Sequence, residues 1–164
     1  ALGILDRLIE MGLEAANVLN PGVITGLVAQ RLVPVLCQNC AIPLEEAIDD
    51  YNPARLERLR NTFQDDLAGI KVKNQEGCSH CENLGITGVT VLAEIVKTDR
   101  TLMRLYKDGK TDEAYYYWRN ELSGTTLMEH GLEKIKAGVC DPKDAEAELD
   151  ELFIEDLQKI GAVA

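Results

Sequence analysis

Two C-x-x-C pairs, Cys37-Gln38-Asn39-Cys40 and Cys78-Ser79-His80-Cys81, constrain this chain more than any other feature. A C-x-x-C turn aims two sulphurs at one point. Two such turns supply the four soft ligands of a tetrahedral Zn²⁺ site. Residues 41–77 separate the pairs, a longer gap than the roughly 15–20 residues of a compact zinc ribbon, and it leaves room for a helical insertion. Cys37, Cys40, Cys78 and Cys81 are therefore the expected ligands of one metal. Four protein ligands leave no position open to substrate, so the expected zinc is structural and not catalytic.

Two other uses of the cysteines fit less well. Two disulfides would suit a secreted domain, but no signal peptide opens the chain and a fifth cysteine, Cys140, is left over. A redox pair of the thioredoxin kind sits at a strand-to-helix turn in a βαβ unit, and neither pair has that setting. His80 reads as a solvated loop histidine beside an already complete ligand set. Cys140 reads as a free thiol near a helix start.

The chain has 164 residues, enough for one medium domain or two small ones. With 46% hydrophobic but only 5% aromatic residues, its core must be mainly aliphatic. Its formal net charge of −11 repels phosphate backbones, so nucleic acid is not an expected partner. No apolar run is long enough to span a membrane. Reduced cysteines point to the cytoplasm. The chain enters an apolar periodic segment directly after Ala1 and reads as a piece of a longer protein.

Leu2, Leu5, Leu8 and Ile9 form the stripe of a first helix over residues 2–11, stopped by Gly12. Asn20-Pro21 predicts a second helix, carrying Ile24, Leu27, Val28 and Leu32 and ended by Pro34. Asn52-Pro53 opens a charged helix to about Asp65, with Leu56, Leu59 and Phe63 inward. Thr87 to Thr98 is the strand candidate, rich in Val, Thr and Ile. Helices are expected over 99–107 and 111–122, then from the capping-box spacing Thr126–Glu129 to about Lys136. Asp141-Pro142 opens a last helix with Leu149, Leu152, Phe153, Leu157 and Ile160 as apolar positions. The run Tyr115–Trp118 fans around a helix axis, so part of it is expected to face solvent or a partner. Asp144, Glu146, Glu148, Asp150 and Glu151 offer an acidic face for basic loops.

In this order the signals resemble the C-terminal part of the type II secretion and type IV pilus assembly ATPases. The matching residues are Arg7-Leu8 with Met11-Gly12, the run from Gly22 to Leu32, Leu36-Cys37-x-x-Cys40 and Gly77-Cys78-x-x-Cys81. Gly85, Gly88 and Glu94 follow, then Thr126-Leu127 with Gly131-Leu132, and Ala137-Gly138. Gln38 stands where the family commonly has proline, Ile86 where it has an aromatic residue, and Val89 where it has arginine. The resemblance implies an α+β, mostly helical chain in three parts. Residues 1–36 would be the C-terminal helices of a RecA-like nucleotide-binding domain, 37–97 a tetracysteine zinc module, and 98–164 a C-terminal helical domain. It also implies a hexameric parent on the cytoplasmic face of the inner membrane. That parent would use ATP and Mg²⁺ and contact a membrane platform protein and neighbouring subunits.

The chemistry of ATP hydrolysis is not in this chain. Phosphate binding needs G-x-x-x-x-G-K-[ST] at a helix N-terminus, and no such stretch occurs. No catalytic or nucleotide-binding residue is therefore expected here. Arg7 and Arg31 fit surface ion pairs, or contacts made only in the whole motor. A stand-alone zinc-ribbon adaptor is the rival reading, and it would favour a basic stripe over this acidic balance.

Overall fold

Helices of seven to eleven residues and one long strand pair make up most of the computed structural model, which describes residues 1–153. Helix α1 (Ile4–Glu10) is followed by a single turn, α2 (Ala15–Val18). Strand β1 (Gly26–Leu36) comes next, where the sequence predicted a helix. Strand β4 (Ile86–Lys97) is its partner. Cys37 N–H donates to the Gly85 carbonyl at 3.0 Å at one end, and Thr98 N–H to the Thr25 carbonyl at 3.4 Å at the other, so the pair is antiparallel.

Two facts explain the change from helix to strand. Leu27, Val33 and Leu36 are buried while Val28 and Leu32 are exposed, so apolar residues lie on both faces and imitate a helical stripe. A two-stranded sheet also leaves each strand an open edge, where the missing N–H of Pro34 need cost no ladder bond.

Between the two knuckles lie the short pair β2 (Ile42–Pro43) and β3 (Lys71–Val72), with Ile42 opposite Val72, and a 3₁₀ turn over Leu44–Asp50. Helix α3 (Pro53–Phe63) starts at Asn52, whose side chain accepts from Ala54 N–H at 2.9 Å. It buries Leu56 and Leu59, as the sequence predicted. Helices α4 (Arg100–Lys107) and α5 (Thr111–Asn120) follow β4. Helix α6 (Leu127–Lys136) leads to the left-handed Gly138, and α7 (Pro142–Leu149) is capped by Asp141. The last helix thus stops at Leu149, with Asp150 at φ 70°. Leu152 is buried beyond it, and Leu157 and Ile160 lie outside the described residues.

The described chain divides into two compact units, each made of separate segments, whereas the expected divisions at 36/37 and 97/98 were linear. The first unit joins Ala1–Ala29 to Ala93–Thr126. Its core gathers Leu5, Val18, Leu27, Val96, Leu102, Met103, Ala114 and Trp118. Trp118 is 1% exposed, and Tyr115 and Tyr117 pack against the same core, with Tyr117 Oη donating to Asp99 at 2.8 Å. Trp118 thus anchors the aromatic run in the core, while Tyr115, Tyr116 and Tyr117 stay partly exposed.

The second unit joins Gln30–Leu92 to the described chain over residues 127–153, around Leu44, Leu59, Ile70, Leu92 and Ile135. Its α7 side holds two polar knots. Asp141 is buried; it caps α7 through Lys143 N–H at 2.8 Å and accepts Lys73 N–H of the β3 end at 2.8 Å and Tyr51 Oη at 3.3 Å. The Lys143 ammonium lies 4.2 Å above the Tyr51 ring. Glu146 is the second knot: its side chain is 7% exposed and pairs with Arg55 and Arg58. It is spent inside the unit, so it leaves the acidic face that the sequence suggested.

Candidate metal centre

The two knuckles hang from the same end of the β1–β4 pair. Leu36, the buried last residue of β1, donates its N–H to Val139 O at 2.9 Å, and Cys37 follows directly. The first knuckle closes with Cys40 N–H and Ala41 N–H on the Cys37 carbonyl at 3.1 and 2.8 Å. In the second, Cys81 N–H and Asn83 N–H share the Cys78 carbonyl at 3.2 and 2.9 Å. Two glycines make that second turn possible. A Cβ on Gly77 (φ 62°) would lie 2.3 Å from the Asn83 backbone, and one on Gly85 (φ 70°) 2.3 Å from the Asn74 carbonyl.

These turns bring Cys37, Cys40, Cys78 and Cys81 together, with all four sulphurs within 4.8 Å of one another. The Cys37–Cys78, Cys40–Cys81 and Cys78–Cys81 pairs each stand at 3.8 Å. A tetrahedron with metal–sulphur distances of about 2.3 Å has edges of about 3.8 Å, so the spacing fits Zn²⁺. None of the four is in a disulfide.

The surroundings prepare one thiolate in particular. Cys81 Sγ accepts the N–H groups of Cys78 and Gly85, both at 3.2 Å. Burial pushes the Cys81 thiol up, but those donors and the neighbouring thiols Cys78 and Cys40 outweigh it and bring it down to about 6. The Cys40 thiol is pushed up to about 12 by burial and by its contacts with Cys37, Cys78 and Cys81. The first proton thus leaves Cys81 readily. Further thiolates repel it, until a dication offsets the repulsion.

Gln38 plays a part that its sequence position does not announce. Its amide donates to Gly138 O at 3.0 Å and Leu36 O at 3.3 Å, while its Oε1 accepts from Lys71 Nζ at 3.0 Å. The first knuckle is thereby tied to the turn after α6 and to β3. Such partners hold the shape of a ligand turn without touching the metal. His80 is exposed and stands outside the sulphur cluster. Cys140 is also outside it, fully buried, and burial pushes its thiol up to about 11, which makes it unreactive. Arg7 and Arg31 are exposed, and Arg31 donates to the Gln30 carbonyl at 3.0 Å.

The family model of the type II/IV secretion system proteins matches residues 1–154. This chain belongs to that family. Among its relatives, a "Type II secretion system protein E" of Dickeya dadantii is 31% identical over 139 residues, covering 85% of this chain and 25% of the relative. Its namesake in Pseudomonas aeruginosa is 30% identical over 148 residues, with 85% and 26% covered. A "Type II secretion system ATPase E" of Vibrio cholerae is 27% identical over 141 residues, with 85% and 25% covered. The chain spans about a quarter of the length of these relatives. Among the described residues no helix is long and apolar enough to cross a membrane.

Proposed function

We propose that this chain is the zinc-binding C-terminal region of a hexameric ATPase that powers type II secretion or type IV pilus assembly. The observation that carries this reading is the four-sulphur cluster in a chain of the secretion family. Cys37, Cys40, Cys78 and Cys81 hold one Zn²⁺, whose role is structural. Residues 1–36 close the nucleotide-binding domain, 37–97 form the zinc module, and 98–164 form a helical end. ATP and Mg²⁺ are bound by the rest of the parent, since the phosphate-binding loop is absent from this sequence. The parent works on the cytoplasmic face of the inner membrane, against neighbouring subunits and a platform protein. Names of the relatives favour type II secretion over pilus assembly.

The zinc contributes to folding and not to catalysis. In small zinc peptides four such ligands supply roughly 10–16 kcal/mol of apparent free energy at neutral pH. Elemental analysis of purified protein should give one zinc per chain, and Cys37→Ser or Cys78→Ser should lose it and destabilise the second unit. Phosphate release with Mg²⁺ and ATP should stay at background. Metal-free protein of full stability would overturn the zinc assignment. Turnover that persists through further purification would overturn the division of labour.

A further inference from the structure

Helix α4 shows two opposite faces. Leu102, Met103 and Tyr106 are buried in the first core. Arg100, Arg104 and Lys107, at positions i, i+4 and i+7, share the outward face and are exposed. None of the three makes an ion pair or hydrogen bond with a described residue, although the chain carries a net charge of −11. The end of α7 presents the converse. Glu148 and Asp150 are exposed and pair with no described residue. The last turn of α7 has no basic residue, so Glu148 stands at the negative end of the helix dipole without a cation. Glu151 beside them meets Arg58 at 3.6 Å and is otherwise open to solvent.

We infer that the basic face of α4 docks the acidic end of α7 on a second copy of this chain. The inference rests on the ring-forming reading above and names one of its subunit contacts. Two different patches on one chain make a head-to-tail contact, and such a contact closes into a ring when the rotation allows. The charges match in sign, and three cations spaced along two helical turns suit a short run of carboxylates. A flat anionic surface would instead face the acidic charge of the whole chain. Because both patches are exposed, the contact weakens once the screening length falls well below about 8 Å.

The test uses the zinc-loaded full-length parent and sedimentation velocity at roughly 0.05 and 0.5 M salt. Two charge-reversed variants are compared: Arg100→Glu with Arg104→Glu and Lys107→Glu, and Glu148→Lys with Asp150→Lys. Either alone should raise the concentration for half-assembly by about tenfold or more at low salt. The combined variant should return to within about threefold of the wild type, since the pairing is restored with its sign inverted. Circular dichroism checks folding. If a reversal disturbs it, the glutamine variants of the same basic residues carry the same expectation at smaller size. Single variants that assemble like wild type, or a combined variant that stays as weak as its parents, would overturn the contact and leave the ring reading standing. A wild-type parent that remains monomeric at all concentrations would overturn both.

Discussion

Replacing Asp141 by alanine should destabilise the second unit more than any other single carboxylate change in it. The side chain caps α7 through Lys143 N–H, and losing such a cap costs about 1 kcal/mol. It also accepts from Lys73 N–H and from the hydroxyl of Tyr51, a residue only 5% exposed. Each of these donors loses its acceptor in the alanine variant. An unsatisfied buried donor costs about 1–3 kcal/mol, with the half-buried Lys73 amide at the low end. Together the loss is about 3 kcal/mol, or a Tm lowered by roughly 6–12 °C for a chain of this size. In Asp141→Asn the side chain would keep a carbonyl for the cap and tyrosine but turn its amide toward Lys73 N–H, donor against donor. That variant should therefore fall about midway. Urea or thermal unfolding of zinc-saturated protein, with zinc content measured alongside, reads both variants. An alanine variant within about 1 kcal/mol of wild type, or an asparagine variant as costly as alanine, would refute this account of the knot.

Other expectations follow from the same structure. Trp118→Ala should cost about 3–5 kcal/mol by urea unfolding, since the ring is buried and Gly124 backs directly onto it, while Tyr116→Ala should cost far less; equal effects would return the aromatic run to an interface role. Lys136 beside Asp66 holds that carboxyl below the ordinary aspartate value of about 4. A lowered folded value stabilises above the unfolded one and is lost as pH falls through it. The stability gap between wild type and Asp66→Asn should thus be full near neutrality and close in acid, and a gap that widens in acid would contradict the pairing.

The clustering of the four cysteines was legible because its signal is local. Each C-x-x-C turn fixes two sulphurs within four residues, and only the meeting of the turns needed the fold. Caps were legible for the same reason: Asn52 and Asp141 each accept the N–H two residues on. Strand β1 was not legible. Its outward Val28 and Leu32 erase the alternation that marks a half-buried strand, and its pairing partner lies some sixty residues away in β4. The length of the last helix was misjudged because Leu152 and Phe153 continue an apolar spacing after the backbone has turned at Asp150. The acidic face shrank because charge counts cannot tell a solvated Glu148 from a buried Glu146, which Arg55 and Arg58 claim from another helix. Gln38 carried no motif at all; its hydrogen bonds to Gly138 and Lys71 exist only once the chain has folded.

Cys37 and Cys78 stand 41 positions apart in sequence yet 3.8 Å apart in space. A metal held between them is a loop closure, and closure entropy rises only with the logarithm of loop length. Doubling the segment between the knuckles would cost about 0.6 kcal/mol, little beside the free energy that four thiolates draw from zinc. The rim of the site is therefore dimensionally strict, with Gly77 and Gly85 admitting no side chain. The span between the turns is dimensionally lenient. Sequence can be gained or lost at the exposed Glu45–Glu46 turn while a metal bound by the four sulphurs would keep the two knuckles together.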